Sequence, residues 1–208
     1  MMEKPPLEPR AFIFDLFGVV IEFDNDIVYA RLARHCRDEQ EAFSGLNGLM
    51  ARVDVITGAV TLPHIYESLV ETHGLSLSYE KFVEAWLEPY SKPLPGMAQI
   101  FEQLSRSYKL FLLSNVDAYY WQTVRALHPE LDYFDALLVS CELGLAKPES
   151  AIFEHVSRMS GVDPFDCLFI DDTIANIKAA DAMGFQTHLF IGVDALRMEL
   201  ERRFIRVV

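Results

Sequence analysis

Asp15, Ser114, Lys147, Asp171 and Asp172 are the residues of this chain whose types and placement suit one piece of chemistry. Asp15 interrupts the apolar run Ala11-Phe12-Ile13-Phe14-Asp15-Leu16-Phe17-Gly18-Val19-Val20-Ile21. A carboxylate there is costly to desolvate unless a cation or a set of hydrogen-bond donors receives it. Three carboxylates brought together repel unless a divalent cation holds them, and hard Mg²⁺ takes oxygen ligands of this kind. The Ser114 hydroxyl, with backbone N–H groups at the start of the next helix, would cradle a phosphate. Lys147 would balance the charge on phosphoryl oxygens. Asp15 is then a candidate nucleophile on phosphorus, giving an aspartyl-phosphate that water cleaves.

Each residue also has a plainer reading. Asp15 and the pair Asp171-Asp172 are what strand ends and helix N-caps commonly use. Ser114-Asn115 would serve as a turn and cap, and Lys147, before Pro148, as a solvated side chain. The common site is favoured by order, because each residue falls shortly after an expected strand. In an open α/β sheet, ligands bind outside the carboxyl ends of the strands.

Five short apolar runs read as buried strands: Ala11 to Phe14, Lys109 to Leu113, Ala136 to Ser140, Cys167 to Ile170, and Thr187 to Ile191. Helical patterns lie between the later ones, over Gly96 to Ser105, Asp117 to Leu127, Glu149 to Met159, and Ile174 to Met183. Asn176 follows Asp172 by one helical turn. Strand alternating with helix predicts an α/β fold with a doubly wound, Rossmann-like parallel sheet. The segment 24–91 is different, with helical stretches at Ile27 to Cys36, Glu39 to Arg52, Leu62 to Thr72 and Tyr79 to Leu87. It reads as a helical lid inserted into a core made of residues 1–23 and 92–208. The return passes through Lys92-Pro93-Leu94-Pro95-Gly96, whose prolines stiffen the hinge.

With 208 residues, 51% of them apolar, the chain can build a substantial core. A formal net charge of −13 argues against nucleic acid as a partner. A small anionic substrate stays compatible, since only the field inside its pocket matters. Three cysteines without CxxC spacing point to reduced thiols and a cytoplasmic protein. The N-terminal residues carry no apolar stretch, so no secretory signal is expected, and no run approaches membrane-spanning length. Oligomeric state is not legible.

The chain resembles the haloacid dehalogenase superfamily, whose members are mostly phosphatases. The resemblance rests on four motifs in order: Asp15 to Val20, Leu113-Ser114-Asn115, Gly144 to Glu149 around Lys147-Pro148, and Phe169 to Asn176 around Asp171-Asp172. It implies a small helical cap over the core and Asp15 as the nucleophile. It also implies Lys147, Ser114 and Asn115 at the phosphate of a small phosphorylated substrate. Mg²⁺ would sit among Asp15, Asp171, Asp172 and the backbone carbonyl of Phe17.

One position departs from that pattern. Most phosphatases of the superfamily carry a second Asp two residues after the nucleophile, as general acid and then base, and here Phe17 stands there. The acid could come from Glu22, Asp24, Asp26 or His64. A good leaving group, such as the anomeric oxygen of a sugar 1-phosphate, would need little help. The chain is similar to the branch that includes sugar-1-phosphate phosphatases, where the second Asp is also missing and Gly often replaces it. A metal-independent 2-haloacid dehalogenase would carry an aromatic residue here, and a non-catalytic relative would bind a phosphorylated ligand or a partner without turnover. Arg52, His64, Tyr66 and Trp86 of the lid, and Tyr119, Tyr120 and Trp121, are candidates either for ligand contact or for packing.

Overall fold

The computed structural model describes residues 8–22, 24–50, 52–87 and 92–207. The first seven residues, read above for a signal segment, and the boundary positions 23 and 91 lie outside the described residues.

The expected strands form a single parallel sheet of order β3-β2-β1-β4-β5. They are β1 (Ala11–Phe14), β2 (Lys109–Ser114), β3 (Ala136–Val139), β4 (Cys167–Asp171) and β5 (Gln186–Leu189). Alternate residues serve opposite faces, because side chains along a strand alternate. Phe12, Phe14, Leu110, Leu112, Leu168 and Ile170 point to one core cluster. Ala11, Ile13, Phe111, Leu113, Cys167 and Phe169 point to the other. Burial on both faces is why the central strands read as continuous apolar runs.

Helices cover both faces. On the first lie α6 (Met97–Leu104), which contributes Met97, Ile100, Phe101 and Leu104, and α7 (Ala118–Leu127), which contributes Tyr120, Trp121 and Val124. On the second lie α9 (Ser150–Ser160), with Ile152, Phe153 and Val156, and α10 (Ile174–Ala182), with Ala180. A short helix, α8 (Ser140–Leu143), precedes the Lys147 segment. A last helix, α11 (Val193–Arg202), was not anticipated from the sequence. Its Leu196 and Leu200 sit one helical turn apart and are fully buried in the first cluster, while Met198 between them is exposed. The expected fifth strand leaves the sheet at Phe190, two residues sooner than its apolar run suggested.

Between β1 and α6 come α1 (Asn25–Ala33), α2 (Glu39–Met50), α3 (Val53–Ile56), α4 (Leu62–His73) and α5 (Tyr79–Leu87), with no strand among the described residues. The helix expected over Glu39 to Arg52 is α2, and Arg52 already takes an extended conformation at the N-cap of α3. Asp24 starts α1 by accepting the Asp26 N–H at 3.0 Å. The two chain crossings into this insert are stitched side by side. Ile21 bridges Pro93 in antiparallel fashion, Glu22 N–H donates to Lys92 O at 3.0 Å, and Leu94 N–H donates to Val20 O at 2.8 Å. No helix among the described residues is long and apolar enough to cross a membrane.

Phe101 anchors the first face, fully buried and edge-on to Phe14 at 5.0 Å and to Phe134 at 4.9 Å. Phe101→Ala should therefore lower unfolding stability by about 3–5 kcal/mol in a denaturant titration. A loss well under 1 kcal/mol would mean that the cluster does not depend on this ring.

Candidate functional site

Register brings the first two carboxylates together. Phe14 of β1 pairs with Ile170 of β4, and one residue on the Asp15 N–H still donates to Ile170 O at 2.9 Å. Asp15 and Asp171 are therefore neighbours at the carboxyl edge of the sheet. Lys147 lies between them, its Nζ 2.7 Å from Asp15 Oδ1 and 2.7 Å from Asp171 Oδ2. All three are buried. Asp15 Oδ1 also accepts the Leu16 N–H at 2.7 Å.

Lys147 is held by its backbone as well. Asn115 Nδ2 donates to Lys147 O at 2.8 Å, and Lys147 N–H donates to Asn115 Oδ1 at 2.8 Å. The Asn115 amide, expected at the substrate, thus clamps the lysine while the residue itself lines the cavity wall. Asp171 is held just as firmly, Oδ1 accepting from Thr173 N–H at 2.8 Å and Asn176 Nδ2 lying 3.0 Å from both carboxylate oxygens.

Asp172 completes the cluster. One oxygen from each of Asp15, Asp171 and Asp172 lies within 4.8 Å of the others. Gly18, at φ +75°, makes this approach possible, since a Cβ there would collide with Asp172 Oδ2. Three carboxylates against one ammonium leave a formal charge of −2 when all are ionised. Burial pushes Asp15 up to about 7, with Asp171 adding to the shift and Lys147 opposing it. Asp172 is likewise pushed up, by burial and then by Asp171. Burial lowers the Lys147 ammonium's pKa, but Asp15 and Asp171 outweigh it and the net shift is upward. A compact set of hard oxygen donors with excess negative charge fits a divalent cation such as Mg²⁺.

Ser114 ends β2 fully buried, and its hydroxyl has no hydrogen-bond partner among the described protein groups. Such orphans call for an explanation, and an oxyanion ligand would supply one. The Lys147-Pro148 peptide bond is cis.

A cavity of about 420 Å³ is lined by Asp15, Lys147 and Asp172, with Asn115 and Asn176 beside them, while Ser114 and Asp171 lie behind its described lining. Its apolar wall includes Phe17, Ile56, Val116 and Tyr120, and its polar lining includes Asn25 and Asp117. The Phe17 ring meets Tyr120 edge-on at 6.3 Å. Tyr120 stacks on Trp86 at 5.8 Å, its hydroxyl donating to Trp86 O, and Trp86 continues to Phe82 and Tyr66. An aromatic chain thus runs from the insert's core to the cavity wall. A second link joins the insert to the core, where the Ser140 hydroxyl donates to Ile56 O and accepts the Val116 N–H at 2.9 Å.

Several expectations from sequence fall elsewhere. Glu22, Asp24, Asp26 and His64 do not line this cavity. Asp24 caps α1, and His64 Nδ1 pairs with Thr61 Oγ1 at 2.7 Å. Of the lid candidates, Arg52 is paired with Asp54, Tyr66 donates to Leu77 O, and Trp86 is core. Tyr120 is a wall residue, Trp121 is buried and bonded to Glu142, and Tyr119 is exposed. Asn25, Ile56 and Asp117 line the cavity without having been singled out for it. For Asp117, the available signal was an acidic N-cap three residues past Ser114.

A model of the haloacid dehalogenase-like hydrolases matches residues 9–184. The chain belongs to the haloacid dehalogenase-like hydrolase family. It is 27% identical over 187 residues to a D-ribitol-5-phosphate phosphatase of Bacteroides thetaiotaomicron, covering 86% of this chain and 90% of that one. A HAD family enzyme from the same organism, solved as a magnesium complex, superposes with a TM-score of 0.75 at 26% identity, over 88% of this chain and 92% of that chain. A wild-type complex with magnesium and inorganic phosphate gives 0.73 at 25% identity, over 86% and 93%. The doubly wound sheet with flanking helices is thus the family's fold.

The Asn115 clamp makes its own prediction. Asn115→Ala removes two hydrogen bonds from the Lys147 backbone and should cost about 1–3 kcal/mol in chemical denaturation. An unchanged midpoint would show that Lys147 is held without it.

Proposed function

We propose that the protein is a Mg²⁺-dependent phosphatase that hydrolyses a small phosphorylated metabolite through an aspartyl-phosphate on Asp15. The observation that carries this reading is the buried Lys147 ammonium, 2.7 Å from both Asp15 and Asp171, with Asp172 alongside. Mg²⁺, held by Asp15, Asp171, Asp172 and the Phe17 carbonyl, would neutralise phosphoryl charge and quiet repulsion with the attacking carboxylate. The Asp15 carboxylate attacks phosphorus, and the bond to the leaving-group oxygen breaks. Lys147 and the Ser114 hydroxyl bind the phosphoryl oxygens where negative charge develops. Asn115 acts one step back, fixing Lys147, and Asn176 does the same for Asp171. Water then cleaves the acyl phosphate and returns Asp15.

Residues 24–91 form the cap of this reading, contributing Asn25 and Ile56 to the cavity. Lys147 is the one Lys or Arg among the cavity's described lining residues, and it belongs to the phosphoryl end. A second anionic group on the substrate would find no further cationic side chain among the described lining residues. The substrate is therefore a monophosphate with an uncharged remainder that fits about 420 Å³. Phosphorylated sugars and polyols have this character, and the similarity to a D-ribitol-5-phosphate phosphatase supports the same class. Phe17 and Tyr120 would pack against the carbon face of such a molecule while Asn25 receives a hydroxyl.

Wild-type protein with Mg²⁺ should release phosphate from some members of a panel of sugar and polyol monophosphates, including sugar 1-phosphates. Chelator should abolish release, and Asp15→Asn should abolish it with the metal present. Chelator-insensitive chloride release from 2-chloropropionate would instead establish a dehalogenase. Ligand stabilisation in a thermal melt without any product would establish a binding protein.

A further inference from the structure

Phe17 removes the usual proton donor, and the cavity holds one carboxyl group outside the phosphoryl and metal cluster. Among the described lining residues the carboxyls are Asp15, Asp117 and Asp172, and only Asp117 lies apart from the three-carboxylate set. We infer that Asp117 is the catalytic residue that protonates the leaving-group oxygen in the hydrolase reaction proposed above, on which this assignment rests.

Asp117 caps α7, its Oδ1 accepting the N–H groups of Tyr119 at 2.9 Å and Tyr120 at 3.1 Å. Capping uses one oxygen. The other, Oδ2, is buried with no hydrogen-bond partner among the described residues, on a residue only 9% exposed. An N-cap alone gives no reason to bury an idle carboxylate oxygen on a residue that lines the cavity. A substrate hydroxyl or ester oxygen would supply the missing partner.

Position agrees with this role. Asp117 follows the Ser114-Asn115 segment at the end of β2, so it sits beside the phosphoryl cradle. The Phe17 ring meets Tyr120, in the first turn of the helix that Asp117 caps. Asp117, Tyr120 and Phe17 all line the same cavity. Burial also pushes Asp117 upward, against its backbone hydrogen bonds, so it keeps its proton to higher pH than an ordinary aspartate. The titratable group that interacts with it is the Cys141 thiol on α8, with Asp15, Lys147 and Asp172 elsewhere on the cavity lining. The hydrogen bonds that Asp117 receives both come from backbone N–H groups.

The step balances. As Asp15 bonds to phosphorus, the leaving-group oxygen keeps the electron pair of its broken bond and takes the Asp117 proton. The Asp117 carboxylate then takes a proton from water as the water oxygen attacks phosphorus and Asp15 departs.

The test uses Asp117→Asn and Asp117→Ser, both of which preserve an N-cap acceptor, with thermal melts to confirm folding. Each variant is assayed with Mg²⁺ on p-nitrophenyl phosphate, which has a good leaving group, and on polyol monophosphates, which have poor ones. Loss of the acid should lower kcat on the polyol phosphates by about 10²–10⁴-fold. The aryl phosphate should fall far less, and the high-pH fall in the wild-type polyol-phosphate profile should disappear. Equal losses on both substrates, or no loss on either, would leave Asp117 a cap and overturn the assignment alone. Wild-type protein that turns over neither substrate would overturn the hydrolase reading and this one with it.

Discussion

The site depends on one buried contact, the Lys147 ammonium held between Asp15 and Asp171. Parallel pairing of β1 with β4 places those two carboxylates side by side at a buried sheet edge, where like charges repel strongly. Removing one member of a buried ionic set is far more damaging than its net worth suggests, because the others stay buried and uncompensated. The surrounding residues serve that arrangement. Asn115 fastens the lysine backbone, Asn176 and Thr173 hold Asp171, and Gly18 leaves room for Asp172.

Excess negative charge remains after Lys147 is counted, and Ser114 keeps a buried hydroxyl with no partner among the described residues. A cation suits the first feature and an oxyanion the second, and the two ligands attract each other. This is how a chain with a net charge of −13 can accommodate an anionic substrate. The local field at the cavity floor, rather than the net charge of the whole chain, decides whether such an anion is held.

Phe17 changes the character of the cavity rather than leaving a hole in it. Its ring joins Tyr120, Trp86, Phe82 and Tyr66 in an aromatic chain that ties the insert to the site wall. The insert is tied again through Ser140 and Ile56. A carboxylate at position 17 would have to be desolvated against these rings. An apolar wall thus stands at the position where the sequence resemblance implies an acid.

Residue types alone made the five strands legible, because strands buried on both faces must be apolar throughout and end where polar residues return. The same rule marked Asp15, Ser114, Asp171 and Asp172 at the strand ends. The contacts among them were not readable. That Asn115 grips Lys147 depends on two loops 32 residues apart meeting at one edge. The helical segment between β1 and α6 was only half legible at the level of single side chains. Arg52, His64, Tyr66 and Trp86 suited either ligand contact or packing, and the residues of that segment that line the cavity are Asn25 and Ile56. A helical pattern tells which face is apolar, but which residues look into a pocket follows from how that helix packs on its neighbours. Helix α11 was missed for a related reason, since its two buried leucines make too sparse a stripe to announce a helix until the sheet provides the surface they cover.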